Sequence, residues 1–88
     1  MAINNDSIVI TDTATSLVSA NSDRFQLTIT NNGESTVYIG NDASVTDTNG
    51  FPIVTLGTYV DTAFLGEYYI ITAAGEISEV SYIEEDNS

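Results

Sequence analysis

The sequence predicts an all-β fold, a small antiparallel β-sandwich of jelly-roll-like or barrel-like form with almost no helix. Three observations lead there. Thr, Ile, Val and Tyr are abundant while Lys, Arg, Gln, Met and Leu are scarce, which suits pleated, half-buried surfaces better than helices. Short runs of alternating polarity recur, separated by Gly, Asn and Asp at intervals of roughly 8 to 12 residues. The chain has 88 residues, enough for one domain whose thin core buries only about 60 to 65% of the unfolded surface.

Residues 1–6 are polar and read as a flexible arm. SIVIT at 7–11 is a first short strand and TSLVS at 15–19 a second, with Asp12 and the ANSD cluster at 20–23 as turns. The clearest strand is RFQLTIT at 24–30: Phe25, Leu27 and Ile29 point one way, Arg24, Gln26, Thr28 and Thr30 the other. Asn31, Asn32 and Gly33 tolerate left-handed backbone and suit a tight reversal into TVYIG at 36–40. That hairpin sets Val37 and Ile39 inward, facing Phe25, Leu27 and Ile29, with Tyr38 on the opposite face.

Residues 41–50 form a long polar loop ending at Gly50 and interrupted only by Val45. FPIV at 51–54 returns to the core, and Pro52 removes one ladder bond, so this run begins a strand or lies at an edge. A strand over 58–64 ends at Leu65 and Gly66. EYYIIT at 67–72, a turn around Gly75 and ISEVSYI at 77–83 read as a second hairpin. The domain then spans 1–83, and residues 84–88 form a frayed acidic tail, since crowded like charges with no apolar residue after Ile83 have nothing to anchor them.

Thirteen carboxylates stand against a single base, Arg24, and the chain has no Lys, His, Cys or Trp. Without imidazole, thiol or amine side chains, nucleophilic or general-base catalysis near neutrality has few groups to use, so no enzymatic role and no cofactor are expected. A formal charge of −12 repels phosphate, which argues against nucleic-acid and anionic-membrane partners. No apolar run approaches the ~20 residues that span a bilayer, and residues 1–6 lack the basic and apolar regions of a secretory signal. Disulfides are excluded and zinc is nearly so, which leaves oligomerisation or docking on a partner to support the thin core.

Asp42, Asp47 and Asn49 make an oxygen-rich loop of the kind that holds calcium, but the spacing fits no EF-hand, since the twelfth position from Asp47 is Thr58. Asx-turn hydrogen bonding is the ordinary use of such residues. Carboxylate pairs for glycoside hydrolysis are numerous only because acids are numerous, and no Trp is present to stack a sugar. Tyr38, Tyr59, Tyr68, Tyr69 and Tyr82 serve either as core and subunit-interface residues or as a glycan surface. Arg24 has two readings as well, a structural ion pair or a bidentate contact to a neighbouring subunit.

Several strings carry a family resemblance. DRFQLTITNNG at 23–33, VYIG at 37–40, Val45-Thr46, GFPI at 50–53 and GEYYIITAAG at 66–75, followed by Val80, Tyr82, Ile83 and Glu84, together resemble small virion proteins of tailed bacteriophages. Coverage runs over about residues 23 to 84. The resemblance implies a sandwich or jelly-roll-like module on the outside of a phage head, a decoration or cement protein that binds the major capsid protein and stabilises the lattice. The alternative it leaves open is a fibre- or tail-associated receptor- or glycan-binding module. A homo-oligomer is expected as well, with a trimer favoured and a dimer as the alternative, made in the host cytoplasm and located on the virion. No catalytic residue is implied.

Overall fold

The computed structural model describes residues 1–87, and within them the protein is all-β without helix. Eight strands follow in chain order: β1 (Ala2–Ile10), β2 (Thr15–Val18), β3 (Arg24–Asn31), β4 (Val37–Gly40), β5 (Phe51–Ile53), β6 (Thr58–Asp61), β7 (Tyr68–Thr72) and β8 (Ser78–Asp86). They form two antiparallel four-stranded sheets in the orders β1-β8-β3-β6 and β2-β7-β4-β5. The pairs β1·β8, β2·β7, β3·β6 and β4·β5 are those of one long hairpin bent at the 41–50 loop. Rolling that ribbon over itself adds β8·β3 and β7·β4, which gives an eight-stranded jelly roll.

This topology overturns both hairpins expected from the sequence. Consecutive strands change sheet at every connection except β4–β5, so β3 does not pair with β4, nor β7 with β8. Residues 31–33 carry the chain across the sandwich instead of reversing it within a sheet. Gly33 is needed there because a Cβ would collide with Ser78 Oγ and the Glu79 amide. Gly75, at φ 79°, turns the chain over from β7 to β8, and its amide donates to Asp12 Oδ2 (2.9 Å). The long polar loop is the one connection that joins neighbouring strands of a sheet.

The expected arm and tail are also corrected. Residues 2–6 belong to β1, laddered against β8 from Ala2↔Asp86 to Ile10↔Ser78. Glu84, Glu85 and Asp86 end a central strand with β1 on one side and β3 on the other. Crowded acids stay in place here because Arg24 holds Glu84 and Asn21 Nδ2 donates to Asp86 Oδ2 (3.0 Å). Ser88, the last residue of the expected tail, lies outside the described residues.

Between the sheets lies a core of Ile10, Leu17, Val18, Leu27, Ile29, Val37, Ile39, Ile53, Tyr68, Ile70 and Val80. Leu27, Ile29, Val37 and Ile39 point inward as the alternation predicts, and Tyr38 lies on the outer face. Pro52 sits in β5, an edge strand, as its missing donor requires. The core is apolar toward the end of the sandwich where β1 finishes. Where β8 finishes, the inward-facing positions become Asn4, Asp6, Tyr82, Glu84 and Asp86.

Asn31, read from the sequence as a turn residue, is the last residue of β3 and fully buried. Its Nδ2 donates to the carbonyls of Ser35 (2.8 Å) and Ile53 (2.9 Å), while its Oδ1 accepts from Gly33 N (3.0 Å) and Ser78 Oγ (2.8 Å). Its backbone also holds the β5–β6 turn, accepting from Leu56 N (2.8 Å) and donating to Gly57 O (3.0 Å). That grip keeps Leu56 in the left-handed region at φ 65°, a conformation that costs a branched side chain on the order of 1 kcal/mol. Asn31→Asp keeps the shape but loses both side-chain donors and sets a charge against two carbonyls. Chemical denaturation is expected to show a loss of about 3 kcal/mol or more.

Candidate functional site

The feature that organises the acidic end begins with a β-bulge. The register between β3 and β8 shifts between Arg24 and Gln26, so one extra residue reverses the side-chain alternation and turns Arg24 to the inner face shared by Leu27 and Ile29. The sequence-based reading placed Arg24 on the opposite face, because an unbroken period of two hides a bulge. Phe25, expected inward, is only half-buried at this irregular step.

Arg24 is 4% exposed. Its Nε donates to Glu84 Oε2 (2.7 Å), Nη1 to the carbonyls of Gly66 (2.9 Å) and Phe64 (3.2 Å), and Nη2 to the carbonyl of Ser19 (2.8 Å). One guanidinium thereby joins the β2–β3 loop, the β6–β7 loop and β8. Around it Asn21 N donates to Leu65 O (2.8 Å) and Asn87 N to Asp23 O (2.9 Å). Of the two readings of Arg24, the structure places it in an ion pair within the chain.

A second polar cluster lies alongside. The Tyr68 hydroxyl donates to Asp61 Oδ2 and meets the Tyr59 hydroxyl at 3.2 Å, while Asp61 Oδ1 accepts from the amides of Ala63 (2.9 Å) and Phe64 (3.2 Å). Burial works against the Asp61 carboxylate, but the Tyr68 hydroxyl, those amides and the Arg24 charge hold it below the usual aspartate value. Burial, reinforced by Asp61 and Tyr59, pushes the Tyr68 phenol well above its usual value. Phe51, Tyr59, Tyr68 and Phe64 form a row of rings with centroid separations of 5.4, 6.1 and 5.2 Å.

The candidate tyrosines therefore do not make one platform. Tyr59 and Tyr68 are internal partners, and Tyr82 lies with Glu84 along an open groove of about 530 Å³ between the β1 and β2 edges, bordered by Asn4, Ser16, Ser19 and Asn21. Burial raises the Tyr82 phenol, and the Asp6 and Glu84 charges add to it. Tyr38 and Tyr69 share the outer face of the other sheet, where Glu67 raises the Tyr69 phenol. Next to Gly40 a smaller recess of about 130 Å³ is bordered by Asn41, Asp42, Ser44, Val45 and Asn49.

In the 41–50 loop the oxygens are turned inward on the backbone. Asp42 Oδ1 accepts from Ser44 N (2.9 Å) and from the Ser44 hydroxyl, which hold its carboxyl below the usual range, and Asn49 Oδ1 accepts from Thr46 N (2.7 Å). Asp47 is exposed and lies 3.5 Å from the Thr48 hydroxyl. Among the described residues no group of three or more acidic side chains converges on a metal position. Gly50 packs on Tyr38 and Gly66 beneath the Phe64 ring, so both turn glycines also make room for aromatic contacts.

Neither a protein-family model nor a curated protein matches the chain. Among solved structures, a Bacillus endospore appendage from a family of disulfide-linked pili aligns over 98% of this chain and 89% of its own, with 19% identity and a TM-score of 0.47. A likeness at that level assigns neither family nor function, and this chain contains no cysteine.

Arg24→Met leaves the Glu84 carboxylate buried without its counter-charge and three carbonyls without a donor, and is expected to cost about 3–5 kcal/mol in denaturant unfolding. Adding Glu84→Leu should recover part of that loss, giving a measurable coupling in a double-mutant cycle. A second expectation concerns pH. Because Tyr68 ionises less readily folded than unfolded, its contribution is present below pH ~10 and lost above it. The depressed Asp61 acts at the other limit, its contribution fading as pH falls below ~4. Tyr68→Phe should flatten the fall in stability measured above pH 10.

Proposed function

We propose that this chain is a structural module of an assembled particle, acting by docking rather than by catalysis, and specifically a decoration or cement protein on the outside of a phage head. The observation that carries the reading is the fate of the one basic side chain. With Arg24 buried in an internal clamp, the side-chain charges at the surface are carboxylates, so a partner recognised by charge must be basic. An outward-facing layer of this kind suits a shell protein that bridges basic patches on a lattice of major capsid subunits while keeping particles mutually repelling. The virion assignment itself rests on the sequence strings at 23–84.

Non-catalytic action agrees with how the half-buried Asp61 and the buried Glu84 are used. Asp61 is held by a phenol and two amides, and Glu84 by Arg24. A second reading, a receptor- or glycan-binding module of a fibre or tail, is favoured by one specific arrangement: Tyr69 stands across the ladder from Gly40, beside the recess formed with Asn41, Asp42 and Asn49.

Copy number separates the two. Quantitative mass spectrometry of purified particles is expected to find this chain in hundreds of copies per head, released by high salt as screening weakens the acidic contacts. Particles lacking it should lose their contents at lower temperature than complete ones. Absence from the particle, or unchanged heat resistance on deletion, would overturn the cement reading, and a handful of copies would point to the fibre.

A further inference from the structure

Four strands terminate the two sheets, β1 and β6 in one, β2 and β5 in the other. An unpaired edge invites addition of another strand, and proteins blunt their edges with proline, bulges or charge. Three of these four are blunted. β5 has Pro52 at the centre of its three residues, and β2 is a four-residue strand whose register shifts between Ser16 and Val18. β1 runs for nine residues with Asp6 at its midpoint, so self-pairing in full register would set that carboxylate against its own copy.

β6 is as short as β2 but carries no proline, no bulge and no charge at its centre. Its sequence, TYVD, has no proline and pairs with β3 without a register shift. The only charge, Asp61, stands at the end of the strand, with its carboxylate occupied by Tyr68 and two backbone amides. Thr58, Tyr59 and Val60 of β6 also lie within residues 48–60, the longest stretch of the chain without a charged side chain. Val60 is 54% exposed, and Phe51, Val54 and Leu56 of the same stretch are exposed as well.

We propose that β6 is an assembly edge that receives β6 of a second copy, so that two four-stranded sheets merge into one antiparallel sheet about a twofold axis. The occupant follows from charge. Each copy carries −12, so two copies approach most readily where carboxylates are fewest, whereas a basic partner is drawn to the acidic surfaces. A register centred on Val60 sets Val60 against its counterpart, Tyr59 against Asp61 and Thr58 against Thr62, with no like charges opposed. Four residues make a short ladder, so free copies associate weakly, and higher salt strengthens the contact by screening the repulsion. The inference does not depend on a capsid partner.

The chain has no cysteine, so single substitutions report contacts cleanly. Under a short thiol cross-linker, Val60→Cys is expected to form a covalent dimer at least roughly tenfold faster than Val9→Cys, an equally exposed position on the same sheet's far edge. Analytical ultracentrifugation of the unmodified chain should show a monomer–dimer equilibrium that shifts toward dimer with salt. Val60→Asp should weaken that equilibrium at least roughly tenfold with an unchanged thermal melt. Equal cross-linking at the two positions, a dimer indifferent to Val60→Asp, or a monomer at every concentration and salt would each overturn the proposal.

Discussion

A single guanidinium inside the sandwich is the constraint on which the acidic end of this protein depends. Three loop carbonyls and a carboxylate converge on Arg24, and the chain has no other basic side chain to serve them. Lys could not replace it, because an ammonium offers three donors from one point whereas the guanidinium spreads its donors across a plane. The bulge beside Phe25 is what turns Arg24 inward, so a local irregularity of one residue fixes how two loops and the last strand meet. At the other end of β3 an uncharged residue does comparable work: Asn31 uses both donors and its acceptor to close the opposite pole. An apolar core between these two polar anchors can be thin because its ends are tied.

How much of this was legible in the sequence depends on the range of the interaction. The fold class, the inward positions of Leu27, Ile29, Val37 and Ile39 and the edge position of Pro52 all follow from alternation and from proline's missing donor, which are local. Strand partners do not. The strings around Gly33 and Gly75 have the chemistry of reversals, and reversals occur there, but within a jelly roll they pass the chain to the facing sheet. Nothing in a turn's composition separates a hairpin from a crossover. Arg24 was placed on the wrong face for a related reason, since an extra residue in one strand shows only against the strand it pairs with. The acids at 84–86 looked unanchored because their partners, Arg24 and Asn21, lie sixty residues or more upstream.

Surface character and edge protection are linked through the same composition. Carboxylates at turns and outer positions keep copies apart, and Asp6, on the inner side of β1, guards the longest edge. Residues 48–60 are the exception, an uncharged strip that includes β5 and all of β6 but Asp61. Within it Pro52 closes one edge and leaves the other. The acidic surface and the neutral edge therefore address different neighbours, and both ways of docking are available to one small module.

The central place of β8 has a consequence for how the molecule is made. β1 pairs only with β8, and β8 also supplies the inner partner of β3, so this sheet has no middle until β8 has been made. Emerging from a ribosome, β1 has no ladder to join, and Arg24 has no Glu84 to hold. A roll built from such distant pairings closes in one late step rather than growing strand by strand. Until then Ile10, Leu17, Leu27 and Ile29 have no facing sheet to cover them, and repulsion between carboxylates is what holds unfinished chains apart.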